Sequence, residues 1–90
     1  MITQQARDVH FSSIVVDAHS DDIGWVVDLG EELAEDTDGR QVTFPKMRQG
    51  GVTAQFFAAW SNPKRFSQVA AVRRTIDFID AVRQTCERNS

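Results

Sequence analysis

His19 and Asp21 are the residues of this chain best suited to chemistry, and they stand two apart at the end of a short apolar run, Ile14-Val15-Val16. In an extended chain, side chains point to opposite faces with period two, so Asp17, His19 and Asp21 take one side and Ala18 and Ser20 the other. An imidazole and a carboxylate converging there make half of a hydrolytic metal site, because zinc and its relatives accept neutral His nitrogen and Asp oxygen. The C-terminal end of a strand is also where parallel α/β barrels place their chemistry. On spacing alone the plainer alternative is the commoner one: a single His among aspartates is usually a solvated loop residue or a hydrogen-bonded strand cap.

The elements that must position this pair follow from pattern. Thr3 to His10 reads as a short leading helix with Thr3 as its N-cap, and Ile14 to Val16 as a buried strand. The stretch Asp21 to Asp38 carries eight acidic residues and no Lys or Arg, which makes it an acidic loop or short helix. Arg40 to Gln49, polar and holding Pro45, is expected as a loop. Gly50-Gly51 then opens the nearly continuous apolar run Val52 to Trp60, as in a strand covered on both faces, and Asn62-Pro63 ends it. From Ser67 to Arg88, Val69, Val72, Ile76, Ile79, Val82 and Cys86 recur at threes and fours, predicting a long amphipathic helix with that stripe buried. Two buried strands joined through covering segments and followed by a helix are βα units of a parallel sheet. The fold class is therefore α/β, the first βα units of a TIM-type (β/α)8 barrel. Such a barrel needs ~250 residues, so residues 1–90 are expected to be a single segment in which the barrel is incomplete.

Composition bounds function by exclusion. With 41% apolar and 26% charged residues and a net charge of −3, the chain fits a soluble globular class. A lone cysteine, Cys86, excludes an internal disulfide framework, and no run reaches the length of a membrane span. The N-terminus lacks the charged-then-apolar order of a secretory signal, which makes the cytoplasm the default location. The basic residues of the second half are mixed with Asp77, Asp80 and Glu87 along one helix, which argues against nucleic acid as a partner. Asp36-Thr37-Asp38-Gly39 has the start of a calcium loop but neither its third ligand nor its closing glutamate, so a solvated face is the better reading.

Three blocks in order, VVDAHSD, QVTFPKMRQGGVTAQFFAAW and AVRRTIDFIDAVRQTCE, resemble the N-terminal part of the membrane (renal) dipeptidases, the M19 metallopeptidases. The resemblance spans about Ile14 to Glu87 and covers roughly the first quarter of such a protein. It implies a TIM barrel, a binuclear zinc site and a dipeptide substrate. The His and second Asp of the family's D-x-H-x-D segment bind one zinc, and they fall on His19 and Asp21. Asp17 matches the first Asp and is expected to support the ligands rather than bind the metal. The resemblance also implies that this chain carries one ligand pair of a site that takes two Zn2+, the bridging glutamate, the histidines and a later aspartate coming from strands beyond Ser90. No catalytic acid or base is assigned within the ninety residues. Ala18, Ser20 and Thr43 depart from the family's usual glycine, asparagine and aspartate, which bears on substrate preference more than on the metal site.

Among the remaining residues, Trp25 is expected to line the substrate cleft, and Phe56, Phe57 and Trp60 to enter the core. Gln55 is expected to hydrogen-bond inside the barrel, His10 to sit on the surface and Cys86 to be buried. The Gly50-Gly51 pair is expected to permit backbone angles or close contacts that a side chain would forbid. Two rival functions remain at this level. One is a non-catalytic truncated or split module that packs with a partner chain, the remainder of the barrel or a second copy in a homo-oligomer. The other is an amidohydrolase-type barrel, disfavoured because those enzymes generally carry H-x-H where this chain has Asp21.

Overall fold

A computed structural model describes residues 1–90 and shows helix α1 (Gln4–Ser12), strand β1 (Val16–Ser20), helices α2 (Ile23–Leu29) and α3 (Phe44–Gly50), strand β2 (Ala54–Phe57) and helix α4 (Val69–Arg88). Thr3 caps α1 as expected, its side chain accepting from the Ala6 amide at 3.1 Å. The two strands pair in parallel, Val16 opposite Ala54 and Asp17 opposite Gln55, so the fold is mixed α/β. Pairing begins one residue ahead of β1, where the Val15 carbonyl accepts from the Thr53 amide at 2.8 Å. Ile14 stays outside and exposed.

The segment expected as a loop before β2 is instead helix α3. Thr43 caps it, Oγ1 accepting from the Lys46 amide at 3.3 Å, and Pro45 stands in the first turn. A proline there costs no hydrogen bond, since first-turn amides lack an intrahelical partner in any case. Gly51 ends the helix at φ 74°, the left-handed conformation that favours glycine. A Cβ on Gly51 would come within 2.9 Å of His10 Nε2 and of the Phe11 ring, so the expected need for close approach is met. His10 is exposed, as expected, yet it ties α1 to this corner through a 2.6 Å hydrogen bond between Nε2 and the Gly50 carbonyl.

The core is small: Ile23, Leu33 and Phe78 are buried, with Val26, Val27, Phe44, Phe57 and Val82 half-buried around them. Here the expected burial of α4 is corrected. The helix packs through Ala71, Arg74, Thr75, Phe78, Ala81, Val82 and Thr85, leaving Val69, Val72, Ile76, Ile79 and Cys86 exposed. Both stripes run at threes and fours, so periodicity cannot choose between them. The small Ala71 and Ala81 permit close approach on one stripe, and the Arg74–Asp28 ion pair fixes α4 to α2 on that side. Phe56 and Trp60 are also exposed, so of the three aromatic residues expected inside only Phe57 joins the core. Gln55 donates locally to the Phe56 carbonyl.

Candidate metal centre

β1 is not a regular strand at its C-terminal end. Asp17 faces Gln55 and Ser20 faces Phe57, so three steps on β1 match two on β2. This bulge re-aims the side chains around His19, and Asp21 lies just past the strand. The strict alternation expected from the sequence therefore stops at Asp17, but the two side chains still converge: His19 Nε2 stands 3.2 Å from Asp21 Oδ2. Two donors bound ~2.1 Å from one tetrahedral zinc ion lie ~3.4 Å apart, so the observed spacing fits joint ligation after a small adjustment. Both side chains are about two-thirds exposed and open to an incoming ion. No third His, Cys, Asp or Glu stands with them.

Neighbouring groups hold the pair in place. Asp17 Oδ1 accepts from the His19 backbone amide at 3.2 Å, so it braces His19 through its main chain rather than its imidazole. Ser20 is buried and its Oγ accepts from the Asp22 amide, while its carbonyl accepts from Ala58 at 2.8 Å. Asp22 turns away from the pair to accept from the Val42 amide at 2.8 Å, which pulls the acidic connection against α2.

A cavity of about 300 Å³ opens beside Asp21, walled by Trp60, Asn62, Arg65, Phe66 and Arg74. Trp25, expected in the cleft, sits on α2 with the Arg40 guanidinium 4.0 Å from its ring centroid, and Trp60 is the tryptophan that reaches this cavity. Asn62 and Arg65 had no sequence signal beyond the turn at Asn62-Pro63. The C-terminal ends of two parallel strands lie on the same side of a sheet, however, and that places the turn after β2 next to the residues after β1.

Two acid–base pairs flank the site. The Arg74 side chain, hydrogen-bonded to both oxygens of Asp28 at 2.8 and 2.9 Å, holds that carboxyl below its usual range. The same guanidinium stacks on Phe66 and Phe78. Glu31 is likewise lowered by its two-pronged hydrogen bond with Arg40, whose own pKa is raised in return.

Comparison with known proteins yields one family. The family model described as Membrane dipeptidase (Peptidase family M19) matches residues 3–90. Neither a curated protein nor a solved structure matches the chain.

Proposed function

The chain belongs to the membrane dipeptidase family, peptidase family M19, and from that premise we propose that it supplies the first metal-ligand pair of a zinc-dependent dipeptidase. The observation that carries the reading is the 3.2 Å approach of His19 Nε2 to Asp21 Oδ2 at the C-terminal end of a parallel strand. On this reading β1 and β2 are the first two strands of a TIM-type barrel, and further strands complete both the sheet and the ligand set. The open sheet supports it: a parallel pair needs cover on both faces, whereas Val16, Phe56, Ile76 and Ile79 are each at least half exposed.

Zinc bound here supplies Lewis acidity and shifts the ionisation of water toward neutral pH. The chain's own residues prepare for it. His19 must present an unprotonated Nε2, so ligation and the His19–Asp21 hydrogen bond are alternative uses of the same nitrogen. Asp21 contributes negative charge, and Asp17 limits movement of the His19 backbone. Trp25, partly exposed on α2, would meet a substrate only outside the cavity beside Asp21. A non-catalytic module packed against a partner chain would also explain the open sheet, but it leaves the paired ligands without a task.

The test is substitution in the protein that completes the barrel around this segment. His19→Ala is expected to lower both zinc content and dipeptide hydrolysis by orders of magnitude, and His10→Ala to change neither. Full zinc occupancy in the His19 variant would sink the assignment.

A further inference from the structure

We infer that Asp22 is a positioning residue for Asp21, tying the corner that carries this ligand to the connection after α2 through the Val42 amide. The inference rests on the dipeptidase reading and adds a residue to it. Asp22 stands at the N-cap of α2, where an aspartate ordinarily accepts from an amide of its own first turn. It makes no such bond: its backbone lies in the right-handed helical region, φ −68° and ψ −15°, and its side chain does not cap the helix. Oδ2 instead accepts from the Val42 amide, twenty residues on, at 2.8 Å. A strong acceptor is thus withdrawn from the local helix and committed to a long-range contact.

The far end of that contact is itself held. Two residues before Val42, the Arg40 guanidinium donates twice to Glu31, at 2.7 and 2.6 Å, and stands 4.0 Å from the Trp25 ring centroid. Two residues after it, the Phe44 amide donates to the carbonyl of buried Leu33 at 2.7 Å. The raised pKa of Arg40 comes first from Glu31, with Asp22 adding to it, so the guanidinium attracts the Asp22 carboxylate as well. Asp21, by contrast, has little to fix its own side chain. That side chain is about two-thirds exposed and its one polar partner is His19, so its direction is set by the main chain. Before Asp21, the Ser20 carbonyl accepts from the Ala58 amide at 2.8 Å, and Ser20 Oγ accepts from the Asp22 amide at 3.1 Å. After it, Asp22 is anchored on Val42. Without the Val42 contact, the C-terminal side of Asp21 is steadied by α2 and Ser20 alone, and a metal ligand that swings by a fraction of an ångström loses affinity.

The experiment measures the zinc affinity of the completed protein by competition with a chromophoric chelator, and the absorption bands of its cobalt-substituted form, in wild type, Asp22→Asn and Asp22→Ser. Asparagine keeps an acceptor oxygen at the same reach, so Asp22→Asn is expected to match wild type in both. Serine caps helices well but is one bond too short to reach Val42. Asp22→Ser is therefore expected to keep the fold, to weaken zinc binding by about 10-fold and to shift the cobalt bands. Wild-type affinity and spectrum in Asp22→Ser, or equal losses in Asp22→Asn and Asp22→Ser, would overturn the role of Asp22 while leaving the dipeptidase reading intact. Should Asp22→Ser not fold, Arg40→Gln loosens the same link from its far end: weaker zinc binding is expected there, and unchanged binding would overturn the inference. A wild type that binds no zinc would overturn the dipeptidase reading and this inference with it.

Discussion

The exposed stripe of α4 permits a quantitative test of whether these ninety residues stand alone. Their accessible surface is 6688 Å², against ~5,300 Å² for a compact monomer of this mass. The radius of gyration is 15.4 Å, against ~12 Å for a compact chain of this length. The excess of ~1,400 Å² is well above the ~800 Å² that one partner contributes to a standard protein interface. If a little over half of it is apolar, its burial is worth a gross ~20 kcal/mol at 25 cal/mol per Å², more than the whole net stability of an ordinary domain. Produced alone, the chain is therefore expected to self-associate or to unfold without cooperativity. Ile76→Glu combined with Ile79→Glu is the perturbation: both side chains are more than half exposed, so the pair should reduce association while helix content stays within error. Within a completed barrel, where the same face is covered, each substitution should cost at least ~1 kcal/mol in lost burial, with the penalty of a buried charge added. Size-exclusion chromatography with light scattering and urea unfolding reads the outcome. A wild-type chain that runs as a single monomer and melts in one sharp transition would refute the reasoning.

Three further outcomes are expected. The isolated chain, with two ligands and no bridge, should bind zinc weakly and show no dipeptide hydrolysis above buffer; metal-dependent turnover by a pure preparation would overturn the incompleteness of the site. Gly51→Ala should cost ~2 kcal/mol, about half from the left-handed backbone and half from displacing His10 from the Gly50 carbonyl. Gly39→Ala, at φ 81° with no neighbour near its Cβ, should cost only the backbone part, and equal losses measured by hydrogen exchange in the completed protein would remove the contact argument. For the Asp28–Arg74 pair, the lowered carboxylate means that its contribution is fully present above the ordinary value of 3.8 and is lost as pH falls through the still lower folded value. An NMR titration of the Asp28 carboxyl with a midpoint at or above 3.8 would contradict the pairing.

What the sequence determined by itself were the features carried by local chemistry. Thr3 is a capping residue wherever a helix follows it, and the 3.6 periodicity of residues 69–88 specifies a helix without reference to any neighbour. The apolar run Ile14 to Val16 marked where a strand begins, but β1 itself runs from Val16 to Ser20 with Val16 half exposed rather than buried. His19 and Asp21 were legible as a pair because two residues in extended chain cannot be far apart. The family resemblance rested on residues in order along the chain, and the match over residues 3–90 bears it out.

Tertiary structure decided everything that depended on which surfaces meet. Pro45 reads as a loop breaker until Thr43 is seen capping the turn in which it sits, since the meaning of a proline depends on its position within a helix. Cys86 and Ile79 lie on an apolar stripe that is real, but α2 chose the adjacent stripe through Phe78 and the Asp28–Arg74 pair. The bulge between Asp17 and Ser20 arises from a register with β2, more than thirty residues away in sequence, and no local pattern encodes it. The cleft beside Asp21 exists for the same reason: parallel pairing brings the turn at Asn62 to Arg65 alongside the end of β1, and residues brought together by pairing carry no mark of it in their own sequence.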